Sequence, residues 1–362
     1  MNTDLQFTRY LYGKDEVEIA FMTNLLNKKE EAIFWAYELF HSGFIKELTT
    51  LLWKIYYDFY AVINPAFETY LVTKLKDINL IDDKLVYTLI KNFMIRRHNI
   101  DVFILRNIVN EFDVECDTDL IRLLDSKDYL TISSYILENI KEDQVIETFN
   151  KVVLYFSKSG LKIDSKKAKC QFEKQKIYIN NRILLLSRVI HYFSILHKIK
   201  MGRNLYIHTE PKECVIYETI NSNLTIPQPY KILPLARVCY IDHCNYLSLF
   251  KLKRDKTDMT IAYRENWLYH ASFSPLWKER INHYNGEILS DKTVIFNDDE
   301  DEEKFREKYD YEPDEQKKDV QDKSIQEIKS ERTWISFYKE HRNETIVEID
   351  EDIIKDIEKI IY

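Results

Sequence analysis

Between residues 14 and 199 apolar side chains recur mostly at intervals of three and four, the spacing of helices that bury one face. Phe44, Leu48, Leu51, Leu52, Ile55, Phe59 and Ile63 share one stripe, which Pro65 closes after Asn64. Ile33, Phe34, Tyr37 and Phe40 make a similar stripe over residues 28–42, with Gly43 placed to stop the helix. Together they predict an antiparallel helical hairpin. Further helices are predicted over residues 65–76, 82–97, 101–112, 117–125, 126–140 and 143–156, with Asp82, Asp117 and Ser126 as N-caps. A long one over residues 181–201 follows from the stripe Ile183, Leu186, Val189, Ile190, Phe193 and Leu196. Serial hairpins with short joints point to a HEAT-like stack, although no repeated sequence signature accompanies them.

The intervening polar, Lys-rich residues 157–175 read as a linker or exposed loop. Beyond residue 201 the pattern changes, with short β-prone runs at residues 205–208, 214–220 and 293–296 and five of the seven prolines. Ser274 and Pro275 form a cap and first turn for a helix through Trp277 and Ile281. The acidic run at residues 298–303 resists burial and marks a boundary or flexible segment, and helix-prone stretches at residues 333–341 and 351–361 follow. The expected fold is mainly α: stacked helical hairpins over residues 1–200, a smaller mixed or irregular module over residues 201–296, and an acidic, partly flexible tail with terminal helices over residues 297–362.

Composition narrows the function classes. With only five glycines, at positions 13, 43, 160, 202 and 286, neither a Walker-type nor a dinucleotide-binding glycine loop can be assembled, which excludes a P-loop NTPase or a Rossmann dehydrogenase. Five scattered cysteines fit reduced thiols, and neither a signal peptide nor a membrane span is expected. The formal charge of −8 conceals an uneven layout. Residues 158–256 carry 19 basic and 7 acidic side chains, whereas residues 297–362 carry 12 basic and 23 acidic ones. A basic centre in an acidic chain is how a phosphate-binding surface or a surface for an acidic partner would read, unless the tail folds onto it.

Chemistry-bearing motifs are sparse. Cys239, His243 and Cys244 cluster in CYIDHC, yet no paired-cysteine knuckle completes a zinc set, so no metal or cofactor is expected. Glu210-Pro211-Lys212 has the outline of a metal-dependent nuclease motif, against which the proline argues. YRENWLY, residues 263–269, approximates a peptide that cap-binding translation factors recognise, at the level of chance in a chain with 25 tyrosines. The basic segment is the stronger lead: Lys158, Lys162, Lys166, Lys167, Lys169, Lys174 and Lys176, extended by Arg203, would neutralise phosphates, while Phe172 and Tyr178 would stack on unpaired bases.

The segments EEAIFWAYELF, LLWKIYYDFYA, SPLWKERINHYNG and KYDYEPDEQ resemble parts of an uncharacterised protein family of giant nucleocytoplasmic large DNA viruses. The resemblance implies a protein of the infected host's cytoplasm and its viral factory, or of the virion, and carries over no site residues. With the charge layout it leads to the expectation of a non-enzymatic helical scaffold or adaptor, of the translation-initiation type in one version, with protein partners and RNA or DNA held by its basic middle. A nucleic-acid-processing enzyme or accessory factor, and a virion structural protein, stand as the alternatives.

Overall fold

The computed structural model describes residues 4–111, 119–175, 179–210, 212–214, 246–309, 318–326 and 332–362. Helix accounts for 64% of the structure and strand for 4%, so the mainly α fold expected from the apolar spacing is the one that forms.

Eleven helices build the larger body: α1 (Lys14–Leu26), α2 (Glu31–His41), α3 (Ile45–Ile55), α4 (Pro65–Lys74), α5 (Asp83–Met94), α6 (Asp101–Glu111), α7 (Leu120–Ser126), α8 (Tyr129–Ser134), α9 (Val145–Lys158), α10 (Ser165–Gln175) and α11 (Asn181–Leu196). Gly43 adopts φ +87°, the left-handed geometry that lets α2 stop and the chain turn into α3. Pro65 occupies the first turn of α4, where its missing N–H costs nothing. A π turn at Tyr56–Tyr60 prolongs α3 and carries Asp58 inward, where the carboxylate takes two bonds from Arg106 on α6 at 2.6 and 2.8 Å. Trp35, Tyr37, Tyr56, Tyr57, Phe59 and Tyr60 are fully buried, so the aromatic wealth of the N-terminal half is core material.

Two caps lie a step away from their predicted places. Asp119 and not Asp117 caps α7, and Asp128 and not Ser126 caps α8, since each of these carboxylates reaches a first-turn amide. Asp117 itself lies outside the described residues. Asp82 caps α5 as expected, accepting from Leu85 N at 2.7 Å.

A second, smaller core gathers Leu5, Phe7 and Leu11 with α12 (Met259–Arg264), α13 (Trp267–Ala271), α14 (Pro275–His283) and α15 (Asp299–Tyr309). Ser274 caps α14 through Trp277 N at 3.2 Å. The hairpin β2 (Gly286–Ile288) and β3 (Val294–Phe296) is antiparallel, and β3 falls on the β-prone run predicted there. Phe7 N donates to His270 O at 2.9 Å and Tyr263 O–H to Leu11 O at 2.7 Å, so the chain's start is clasped by a module some 250 residues away. Burial of Tyr263 and Trp267 in that core removes YRENWLY as a presented peptide.

Four further expectations are corrected. Residues 157–175 are not a linker: α9 runs through Lys158 and α10 follows. The run at residues 205–208 is extended but unpaired with any strand, because side chains hold its backbone instead: Asn92 bonds Ile207 at both N and O, and Arg96 donates to Leu205 O at 2.7 Å. The acidic run is the beginning of α15, with Asp298 accepting from Asp301 N at 2.8 Å and the negative charges at the favourable end of the helix dipole. The last predicted helix is short, α18 (Glu351–Lys355), and gives way to β4 (Ile360–Ile361), which pairs in parallel with β1 (Phe250–Lys251). Of the run at residues 214–220, only Cys214 is described, and it is helical and buried.

Between α15 and α18 lie α16 (Lys318–Ile325) and α17 (Trp334–His341). The last thirty residues are bolted to the larger core. Phe337, Ile354 and Tyr362 are buried in it, and Asp101 accepts from Ile346 N at 3.0 Å and Val347 N at 3.3 Å. His98 Nε2 meets His341 Nδ1 at 3.2 Å on the same contact. Among the described residues no helix is long and apolar enough to cross a membrane.

Candidate functional site

The Lys-rich segment becomes a helix for local reasons. Lys, Ala, Gln and Glu are strong helix formers, and Asp164 caps α10 by accepting from Lys167 N at 3.0 Å. Ala168, Phe172 and Gln175, spaced i, i+4 and i+7, form the inward stripe. Phe172 is 1% exposed and stacks on Phe149 of α9 with ring centroids 4.2 Å apart. It is therefore a packing anchor and cannot stack on bases, which corrects the role expected for it.

That docking turns the basic residues outward. Lys158 ends α9, Lys162 stands in the α9–α10 joint, and Lys166, Lys167, Lys169 and Lys174 project from α10. All six are exposed, and among the described residues none of them forms an ion pair. Arg203 is also exposed, on the segment after α11. Lys176 and Tyr178 lie outside the described residues, as do Cys239, His243 and Cys244. Glu210 is exposed and its N–H donates to the Glu213 carboxylate. No group of three or more His, Cys, Asp or Glu suited to a metal ion occurs among the described residues.

Beside the lysines opens a cleft of about 860 Å³ between α4, α10 and α11, which no sequence signal marked. Lys162 and Lys167 stand at its mouth, and Tyr70 and Tyr206 form one wall, stacked at 4.7 Å. Arg96 braces that wall, with its guanidinium carbon 3.7 Å from the centre of the Phe67 ring and 5.0 Å from that of Tyr206.

A buried network supports the floor. Tyr57 O–H donates to Glu68 Oε1 at 2.7 Å, Arg188 Nη2 donates to Glu68 Oε2 at 2.5 Å and to Gln175 Oε1 at 2.7 Å, and the Gln175 amide closes the ring onto Glu68. Burial works against the Arg188 charge, but Glu68 and the hydroxyls of Tyr56 and Tyr57 outweigh it and raise its pKa. One turn on, His191 Nδ1 lies 2.6 Å from Val62 O. A carbonyl only accepts, so Nδ1 carries the proton and Nε2 is left as an acceptor. Burial, reinforced by the nearby Arg188, lowers the His191 pKa to about 4, so the ring is neutral at pH 7.

What remains unengaged defines what the floor can do. Among the described residues, Arg188 Nε and Nη1, His191 Nε2 and the Tyr192 hydroxyl have no hydrogen-bond partner, although all three residues line the cleft and His191 is 9% exposed. A second cleft of about 730 Å³, beside β1 and β4, offers less. Its Arg106 spends Nε and Nη2 on Asp58 and Nη1 on Asn107.

The molecule is thus a mainly α protein with a basic helical face and an adjoining cleft. No known protein family, curated protein or solved structure matches this chain.

Proposed function

We propose that this protein is a non-enzymatic helical scaffold that binds single-stranded RNA or DNA along the exposed face of α9 and α10. The observation that carries the reading is the set of six exposed lysines, from Lys158 to Lys174, that form no ion pair among the described residues and stand on a well-anchored surface. Elsewhere in the chain Lys91 pairs with Glu30, Lys253 with Glu18 and Lys304 with Glu300. A row of uncompensated ammonium groups attracts phosphates without reading sequence, and fixing the row on docked helices reduces the ordering cost of binding. The resemblance to proteins of giant DNA viruses would place this activity in the cytoplasm of infected cells, with protein partners carried by the rest of the helical body.

The test is fluorescence anisotropy with labelled single strands over a range of salt. Six phosphate contacts correspond to a log–log salt slope of about −4 for a single strand, a roughly 300-fold loss over a fourfold rise in salt. Changing the six lysines to glutamine should remove most of that slope. A wild-type slope near zero, or one unchanged in the variant, overturns the reading.

A further inference from the structure

We infer that the cleft between α4, α10 and α11 receives one nucleotide unit, its base on the Arg188–His191 floor and its phosphate at Lys162 and Lys167. This rests on the nucleic-acid reading above and specifies its ligand.

Charge sorts the ligand's parts. Arg188 is matched by Glu68 at 2.5 Å and His191 is neutral, so the floor carries no net charge and suits a neutral polar group. It offers fixed donors on the Arg188 guanidinium and, three residues along α11, a fixed acceptor at His191 Nε2. Every nucleobase edge presents acceptors beside N–H donors, and such an edge satisfies both. Net positive charge appears only at the mouth, where Lys162 and Lys167 outweigh the single carboxylate of Asp164, which caps α10. An anionic group therefore belongs outside and an uncharged heterocycle inside. The wall of Tyr70 and Tyr206 provides aromatic surface for the ring, and about 860 Å³ leaves room for base and ribose together.

The chemistry is shared by an unpaired nucleotide in a strand and a free nucleoside monophosphate, so both are titrated into the full-length protein. The probes are a short oligothymidylate, the same strand with abasic residues, and each nucleoside monophosphate. The expected result is at least about tenfold weaker binding of the abasic strand, the loss that follows when one base forfeits its stacking and edge contacts. Thr69→Trp, an exposed position on the cleft wall away from the buried network, should abolish that difference while leaving the melting temperature unchanged. Lys162→Ala with Lys167→Ala should flatten the salt slope by about 1.4.

Equal affinity for the base-bearing and abasic strands, with a steep salt slope, overturns the cleft assignment and leaves the lysine face standing. Absence of binding to any strand at low salt overturns the lysine face, and the cleft survives only if a monophosphate binds and Thr69→Trp blocks it. A glutamate-rich peptide of equal charge binding as tightly as the strand overturns both. Because the abasic comparison uses the wild-type protein, it does not depend on the variants folding.

Discussion

The basic helix α10 and the acidic segment from residue 298 onward carry opposite charge and handle it in opposite ways. On α10 the four lysines project from a helix whose inward stripe is a single phenylalanine flanked by Ala168 and Gln175, and they have no counterions among the described residues. In the acidic segment the charges are consumed close to home. Asp298 caps α15, Glu300 pairs with Lys304 and Glu302 with Arg306 one turn on, and Asp352 pairs with Lys355. Among the described residues, tail carboxylates that reach further meet Arg97, Tyr246, Asn285 and Arg332, and none pairs with a lysine of α10. Among the described residues, then, the acidic segment spends charges within its own turns, whereas the six lysines from Lys158 to Lys174 form no ion pair.

The largest test of that contrast is Phe172→Ala. Phe172 is what holds the lysine helix down, so its truncation should cost about 3 to 5 kcal/mol in urea unfolding. A loss below about 1 kcal/mol would mean that α10 is not docked, and its lysines would be no more organised than a loop.

Acid gives the next effect. Burial lowers the pKa of His98 to about 3 and of His341 to about 4 at the tail contact, with the His341 ring at 3.2 Å adding to the effect on His98, and lowers His191 to about 4 at the cleft floor. Because the folded state binds these protons less well than the unfolded chain, stability is full above the ordinary value of 6.5 and is lost as pH falls toward 4. At pH 5 each such ring costs roughly 2 kcal/mol. Asp101 opposes them: burial raises its pKa to about 6, so its contribution is full below the ordinary value of 3.8 and is lost as pH rises through 6. One carboxyl cannot offset three imidazoles, and melting temperature should fall from pH 7 to pH 5. A melting temperature that holds or rises over that range would contradict the buried, neutral state of these rings.

Caps supply a matched pair of smaller effects, one in each region. Asp164→Ala on α10 and Thr333→Ala on α17, where Thr333 and Ser336 cap reciprocally, should each cost about 1 kcal/mol. Only the first lies on the lysine face, where it also removes the negative charge between Lys162 and Lys167. Smallest of all is Lys304→Ala: the pair with Glu300 lies in open solvent, and neither melting temperature nor binding should change measurably.

Helices with a wide apolar stripe, a proline start or a glycine stop were legible because periodicity, Pro65 and Gly43 act within a few residues. Helix α10 was not, since a Lys-rich run with one phenylalanine has too little apolar signal to separate a docked helix from a loop. Only the ring of Phe149, a helix away, makes the difference. The same limit applies to residues 205–208, whose extended backbone is satisfied by Asn92 and Arg96 and not by a partner strand.

By itself the sequence determined the mainly α character and the uneven charge, both of which follow from local spacing and composition. Tertiary structure alone decided that Glu68, Gln175, Arg188 and His191 converge beneath one cleft and that Leu5 and Leu11 are clasped by His270 and Tyr263. These outcomes depend on pairings between residues from 13 to more than 250 positions apart, as with Arg188 on Gln175 and Tyr263 on Leu11. Such pairings arise from where buried polar groups find partners once the helices pack, and no local pattern encodes them.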